Sequence, residues 1–451
     1  MKVPLLLMVL AAGELCGCAG FSKDGGFDAV ADATQKHLAK DVVWPRTGQE
    51  QAKLTQQVSD LLAHPLSADD AVQIALLNNR SLQASFEELG ISEADLVQSG
   101  RLPNPRFDLR HASSAGQYDI EATLSFNVLS LLTMPYAHDI EKRRFASTQN
   151  AVVLSVMQLA KETREAFIAA VAARDSADYL RQVVTAAETS AELARSMVAA
   201  GNWNRLDEIR EQIFYADAVR GLQQAKLSEE AAREKLTRLL GLTASQAGGR
   251  PAFLLVEHLP ELPQSIENLP DIDAALLQNR IDLQLLRLKV DELRRRLKLT
   301  EATRFVNVLE LGPTRVQQGT RQAPHETGYA LSLEVPIFDG GSIRVKRSEA
   351  IYAQSVDRFT QAAIDARSQI RQAYGNYRAS FELARQQRDE VVPLRKAVAE
   401  QNLLLYNASL ISIFELLADA REQVQSFDEY IHRVRDFWIA KSELDSALLG
   451  N

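Results

Sequence analysis

From Tyr329 to Asn407 the chain carries two different periodicities back to back. Tyr329, Leu331, Leu333 and Val335 alternate with Ala330, Ser332 and Glu334, the period-two pattern of a strand with one apolar face. Pro336 cannot donate to a ladder and Asp339-Gly340-Gly341 accommodates positive φ, so the strand ends there. A series that is apolar or small at all but three places then recurs every three to four positions: Val356, Phe359, Ala363, Ala366, Ile370, Ala373, Tyr377, Ser380, Ala384, Gln387, Val391, Leu394, Val398, Gln401 and Leu405. A 3-4 alternation held this long is a coiled-coil seam. It predicts a helix from Ile343 to Asn407, roughly 100 Å long, bent at Pro393. No compact domain houses such a rod.

The first half of the chain repeats this arrangement. Ser67 and Asp70 make a capping-box start for a helix running to about Gly100, and Leu102-Pro103-Asn104-Pro105 ends it. Phe107, Leu109 and His111 alternate with charged residues. After Ser113-Ser114-Ala115-Gly116, a strict alternation runs from Tyr118 through Ile120, Ala122, Leu124 and Phe126 to Val128. Pro135 opens a helix of about 65 residues to Ala200, its seam read at Ala160, Thr163, Phe167, Ala170, Ala173, Ala177, Leu180, Val184, Ala187, Ala191, Ala194 and Val198. Gly201-Asn202 breaks it, and a second helix spans about Leu206 to Leu240, stopped by Gly241. Leu76-Leu77-Asn78-Asn79-Arg80 corresponds to Leu276-Leu277-Gln278-Asn279-Arg280. Likewise Leu124-Ser125-Phe126-Asn127-Val128 corresponds to Leu331-Ser332-Leu333-Glu334-Val335, and the break at Gly201 to that at Ser409. Matches in order at nearly one offset mean a duplicated unit of helix, β-hairpin and long helical hairpin.

The duplication divides the chain into a signal segment (1–17), a partly extended, lipid-anchored N-terminal linker (18–65), a first repeat (66–247, hairpin 105–130, helical hairpin 135–240), an equatorial connector (248–270) and a second repeat (271–451, hairpin 304–338, helical hairpin 342–449). Each repeat supplies two strands of the length that crosses a membrane as a tilted β-strand. Open sheet edges do not survive in hydrocarbon, and the smallest membrane barrels have eight strands, so the chain must oligomerise. Two chains would close eight strands and three would close twelve.

The N-terminus reads as an address. Lys2 precedes an apolar run, Val3 to Ala12, that is too short to span a bilayer, and Leu15-Cys16-Gly17-Cys18 follows. This resembles the bacterial lipobox, which implies a covalent lipid on Cys18 and delivery to the outer membrane. Both cysteines lie in this segment, so the remaining chain forms no disulfide. The formal charge of −8 and the absence of a basic patch interleaved with aromatics exclude a nucleic-acid surface. Arg294-Arg295-Arg296 reads as a solvated helix face. The seven histidines are scattered, with neither metal-ligand spacing nor a phosphate loop. No catalytic constellation is present, so the chain does not read as an enzyme and implies no cofactor beyond the lipid.

From about Leu66 to Leu449 the chain resembles the TolC-type outer-membrane factors of tripartite efflux and type I secretion. The resemblance rests on Asn79-Arg80 and Asn279-Arg280, on Leu102-Pro103-Asn104-Pro105, and on Val335-Pro336-Ile337-Phe338-Asp339-Gly340-Gly341. It implies a mainly α fold with a membrane β-barrel part, assembled as a homotrimer whose 12-stranded barrel continues into a 12-helix coiled-coil tunnel in the periplasm. It also implies two partners, a periplasmic adaptor and an inner-membrane transporter, and export of small molecules. Metal-ion efflux or protein secretion are alternatives within that class, and a non-conducting structural envelope lipoprotein is the alternative outside it. The implied adaptor-docking tips are Ala200-Gly201-Asn202 and Ala408-Ser409-Leu410, where Ser409 departs from the family's glycine. The implied periplasmic gate is Asp207 and Glu415, with Arg205 and Arg210 as basic neighbours. Ala418 stands where the family carries a further acid, with Asp419 beside it. The same two acids also suit a helix N-terminus, where the macrodipole favours negative charge.

Overall fold

The computed structural model describes residues 20–114, 117–243, 253–268, 279–319, 324–408 and 410–450. The signal segment with Cys18, the turn at Ala115-Gly116 and the repeat match at 276–278 lie outside the described residues. Two compact units emerge. One holds the chain up to Val30 with Ser85–Val152 and Ile281–Ile364, the other Ala31–Ala84, Val153–Arg280 and Asp365–Asn451. Each unit takes matching pieces of both sequence repeats.

The first unit contains a single antiparallel sheet of β1 (Arg106–Ser114), β2 (Gln117–Asn127), β3 (Val308–Gly319) and β4 (Glu326–Glu334), in the order β1-β2-β3-β4. The register pairs Phe107 with Leu124, Phe126 with Leu311 and Leu311 with Leu331. One face is therefore mostly apolar across all four strands, with Arg315 and Gln317 opposite Ala122 and Ile120 as its exceptions on β3, and Phe107, Leu109, Tyr329 and Leu331 on it are exposed. Glu121 and Glu310 fall on the opposite face, where the Thr123 and Thr314 hydroxyls meet at 2.9 Å. Gly312 is required for the close approach of β3 to β2, since a Cβ there would lie 1.7 Å from the Leu124 carbonyl oxygen. The outer edges of β1 and β4 have no ladder partner within the described residues. No helix among those residues is long and apolar enough to cross a membrane.

Helices make up most of the rest of the described chain. The segment expected to be a partly extended linker forms two helices, α1 (Asp28–Leu38) and α2 (Gly48–Leu62). Thr47 and Glu50 build a full capping box on α2, and Leu54 and Val58, one turn apart, are its buried stripe. Two buried residues are too few to register as a periodicity. Ser67 and Asp70 cap α3 (Ala68–Asn78) as expected, but the helix stops at Asn79, whose ψ of 118° is extended, and restarts as α4 (Arg80–Ser99). The helix placed at Pro135 begins earlier: α5 runs Val128–Ala199 with Pro135 inside it. Asn127, the last residue of β2, caps it by accepting the Ser130 N–H at 2.8 Å. The remaining helices are α6 (Arg205–Leu239), α7 (Ile281–Ala302), α8 (Ser342–Gln386), α9 (Val392–Asn407) and α10 (Ile413–Leu449).

The break at Asn79 has a purpose in the second unit. The Asn78 side-chain amide donates to the Leu240 and Gly241 carbonyls at 2.9 and 2.8 Å, and that of Asn79 donates to Leu239 at 2.9 Å. These carbonyls are left over at the end of α6, where no later N–H reaches them. In the second repeat Arg280 does the equivalent work. Its guanidinium, 2% exposed, donates to the Ala447 carbonyl near the end of α10 at 2.9 Å and to the Gln369 side chain at 3.2 Å. Nearby, Phe437 packs between Tyr377 and Phe381 at ring separations of 5.4 and 5.8 Å. Burying each such ring stabilises by roughly 1.5–3 kcal/mol. In the irregular connector, the Trp438 indole donates to the Pro260 carbonyl and Arg233 stacks over Phe253.

Between α8 and α9 the helix passes through a π-turn, Gln387–Val391, in which the Val392 N–H reaches back to the Gln387 carbonyl. Pro393 follows directly. Lacking an N–H and crowding the preceding turn, a proline weakens the regular ladder just before it. Above the π-turn the expected seam is buried at Ala366, Ile370, Ala373, Tyr377 and Ala384, with Phe381 replacing Ser380. Below it the expected seam is wrong. Leu394, Val398 and Leu405 are exposed, and the sheltered positions are Arg395, Ala399, Asn402 and Tyr406, each one residue later. The extra residue of the π-turn has shifted the phase.

Candidate functional site

Both helical tips lie in the second unit. At the first, Gly201 adopts φ of 77°, its N–H bonds the Val198 carbonyl, and the Asn202 N–H reaches the Met197 carbonyl at 2.9 Å. These two bonds satisfy the last carbonyls of α5 and form a Schellman motif, which needs the left-handed conformation at Gly201. Space around the turn is open, because a Cβ built on Gly201 meets nothing within 4 Å. At the second tip the Leu410 N–H reaches the Leu405 carbonyl at 2.9 Å, the same six-to-one bond, and Ala408 caps α9. Ser409 lies outside the described residues. Asn202 and Leu410 are exposed.

The acids past each tip occupy the same local position. Asn204 caps α6, accepting the Asp207 N–H at 3.0 Å while its own amide donates to the Asp207 carboxylate at 2.5 Å. Ser412 and Glu415 form a reciprocal capping box on α10, with bonds of 3.3 and 3.0 Å. Each acid is thus the third residue of its helix; the Glu415 carboxylate answers the Ser412 backbone N–H, and the Asp207 carboxylate answers the Asn204 side-chain amide. Their surroundings differ. Asp207 is 7% exposed and Arg210 donates to it at 3.2 Å, whereas Glu415 is open to solvent. Arg205 bonds Glu208 at 2.6 Å instead of Asp207.

A residue that pattern reading passed over sits one turn deeper. Glu211 is 1% exposed, accepts from the Ser190 hydroxyl on α5 at 2.8 Å and from the Arg421 guanidinium on α10 at 2.5 Å. It therefore joins three helices belonging to both hairpins, and Arg421 also lies 4.2 Å over the Phe214 ring. Removing one partner of a fully buried pair costs roughly 3–5 kcal/mol. Here the cost is smaller, since the Arg421 side chain is 31% exposed. Around it Val183, Ala187 and Ala218 pack with Tyr179, Phe214 and Val424. Close to the second tip, the Asn402 amide donates to Asp419, and Arg395 pairs with Glu422 at 3.0 Å, tying α9 to α10. Asp419, beside Ala418, is thus engaged within its own hairpin.

Toward the connector, a recess of about 820 Å³ is lined by Asp175, Tyr179, His258, Phe427 and Tyr430 among others. Burial pushes the Asp175 carboxyl above the usual carboxylate range, with His258 at 3.4 Å opposing that effect. Among the described residues, no group of three or more His, Cys, Asp or Glu side chains could hold a metal ion.

No protein-family model matches the chain. The cobalt-zinc-cadmium resistance protein CzcC of Cupriavidus metallidurans is 26% identical over 225 residues, which are 47% of this chain and 52% of that protein. The chain thus spans about half the length of this curated relative. Among solved structures, the Campylobacter jejuni CmeC outer membrane channel gives a TM-score of 0.71 at 13% identity, covering 85% of each chain. The outer-membrane channel OprN gives 0.69 at 18% identity over 93% of this chain and 96% of that one. The open state of the Neisseria gonorrhoeae MtrE outer membrane channel gives 0.68 at 14% identity over 84% and 88%. The chain has the fold of the TolC-type outer-membrane factors.

Proposed function

We propose that this chain is the outer-membrane subunit of a tripartite efflux system, a passive exit duct for small molecules that docks a periplasmic adaptor and, through it, an inner-membrane pump. One observation carries the reading: a four-stranded sheet, apolar and exposed on one face and polar on the other, in a fold shared with outer-membrane channels. Such a sheet needs lipid on one face, and its two edges need partners. Three copies would supply twelve strands and twelve tunnel helices, with the polar face of each sheet toward the lumen. The open space at Gly201 would receive the adaptor, and Ala408-Ser409-Leu410 would form the second docking tip. Three copies each of Asp207 and Glu415 would ring the axis, and a ring of like charge at a constriction favours cations. A metal cation as cargo is the second reading, favoured by the cobalt-zinc-cadmium resistance relative.

Planar-bilayer recording tests the duct. Purified wild-type protein should conduct in steps, and Asp207→Asn with Glu415→Gln should raise the open fraction severalfold. A chain that never conducts, even with both acids neutralised, sinks this reading in favour of a structural envelope lipoprotein. The lipid anchor is tested separately by palmitate labelling: Cys18→Ala should abolish the label, and label that persists rejects Cys18 as the acylated residue. Growth of a deletion strain on drugs against divalent metals distinguishes the two cargo classes.

A further inference from the structure

We propose that a basic recess between α5 and α7 seats the phosphate of an anionic phospholipid from the membrane leaflet nearest the helices. The proposal rests on the outer-membrane reading above. The recess, about 380 Å³, brings four cations, Arg143, Arg294, Arg295 and Lys298, together with only two carboxylates, Asp139 and Asp291. Asp139 is already shared, accepting from Arg295 and lying 3.7 Å from Arg143. Among the described residues Arg294 and Lys298 have no ion-pair partner, and the buried Nε of Arg143 makes no hydrogen bond, meeting Asp139 only at the ion-pair distance of 3.7 Å. An excess of two positive charges and a guanidinium N–H without a hydrogen bond call for an acceptor oxygen carrying negative charge. Phosphate matches a guanidinium fork well.

The triple Arg294-Arg295-Arg296, expected to be one solvated face, is exposed at all three positions. Arg296 pairs with Glu292 at 3.3 Å on its own helix and with Glu141 at 3.8 Å on α5. Arg294 and Arg295 line the recess.

Position selects a lipid over a free anion. Leu132, Tyr136, Ile140 and Arg143 are spaced four, four and three apart, so they share one face of α5. Leu132 and Tyr136, 65% and 67% exposed, occupy the stretch between the end of β2 and the recess. Tyr136, on the recess rim, is nine residues past Asn127, about 13 Å along the helix. An exposed leucine, then a tyrosine, then cations is the order met on leaving hydrocarbon through a headgroup layer. An inorganic phosphate would use the cations and have no use for Leu132 or Tyr136.

The test uses the full chain, delipidated in neutral detergent, with phosphatidylglycerol as probe and bound lipid counted by native mass spectrometry. Wild type should retain phosphatidylglycerol at least tenfold more tightly than phosphatidylcholine. The triple variant Arg143→Gln, Arg294→Gln, Lys298→Gln should lose at least tenfold, while Arg294→Lys with Lys298→Arg should bind as wild type does. Circular dichroism and bilayer conductance are recorded on the same samples and should be unchanged. Equal retention by wild type and triple variant overturns the site. Displacement of phosphatidylglycerol by equimolar inorganic phosphate overturns the lipid assignment. Retention of phosphatidylglycerol by a chain that never conducts would defeat the duct and leave this site standing.

Discussion

Replacing Gly201 with tryptophan is expected to abolish export while the protein remains folded and assembled in the outer membrane. The left-handed conformation costs a non-glycine residue roughly 1–2 kcal/mol, which a chain with this much buried helix absorbs. The surroundings add no clash, because nothing lies within 4 Å of a Cβ at this position. The bulk of the indole therefore projects into the space proposed for the adaptor. Gly201→Asn is the necessary companion, since asparagine tolerates the left-handed conformation and is small. It should export at close to wild-type level. Cell accumulation of an exported dye, measured beside the quantity of assembled protein, separates the outcomes. Loss of assembly in the tryptophan variant, or equal loss of export in both, would make Gly201 a helix cap and nothing more.

The largest structural effect is expected from Gly312→Val. A Cβ at this position would sit 1.7 Å from the Leu124 oxygen and 2.7 Å from the Ser125 Cα, both backbone atoms of the neighbouring strand. No rotamer relieves contact with a backbone, so β2 and β3 must separate. The junction between the two repeats in the sheet is then lost. Protein recovered in the outer-membrane fraction should fall at least tenfold. Gly328→Val, in β4, provides the control within the same sheet: its Cβ meets only the Thr314 methyl at 3.6 Å, an ordinary contact. Recovery of Gly312→Val at the level of Gly328→Val would show that the two strands are not held at this separation.

The strands and the long helices were legible because their periodicities are long and unambiguous. Tyr329 to Val335 and Tyr118 to Phe126 announce strands whatever surrounds them. Shorter signals failed for identifiable reasons. Pro135 looked like a helix start, but Asn127 with Ser130 had already capped the helix, and a strand residue is not where a cap is sought. Leu54 and Val58 were overlooked because two buried residues in a helix are too few to show a period. Arg280 stood out in the sequence only as part of a repeat match, yet it is among the most buried side chains, since leftover carbonyls at a helix end can satisfy a guanidinium. At the tips, one spacing serves two roles: an acid three residues past a cap satisfies backbone N–H groups and can also face an axis. Asp207 and Glu415 were therefore placed correctly as helix-start acids without their duty being separable. Glu211 was missed because acids on coiled-coil helices normally face water, and nothing local marks the one that meets Arg421 from another hairpin.

The π-turn at Gln387–Val391 has a consequence for any reading of this helix as a continuous code. One added residue turns everything after it by about 100° about the axis, much as an inserted base displaces a reading frame. Upstream, the apolar letters of the repeat spell contacts within the chain. Downstream, the same letters, Leu394, Val398 and Leu405, are addressed outward, and polar residues such as Arg395 and Asn402 inherit the inward positions. Regular α-turns through these same residues, at unchanged length, would restore the frame, returning those leucines and valine to α10 and taking them from whatever lies outside. The loose loop of backbone before Pro393 thus decides which neighbour the last turns of the helix are written for.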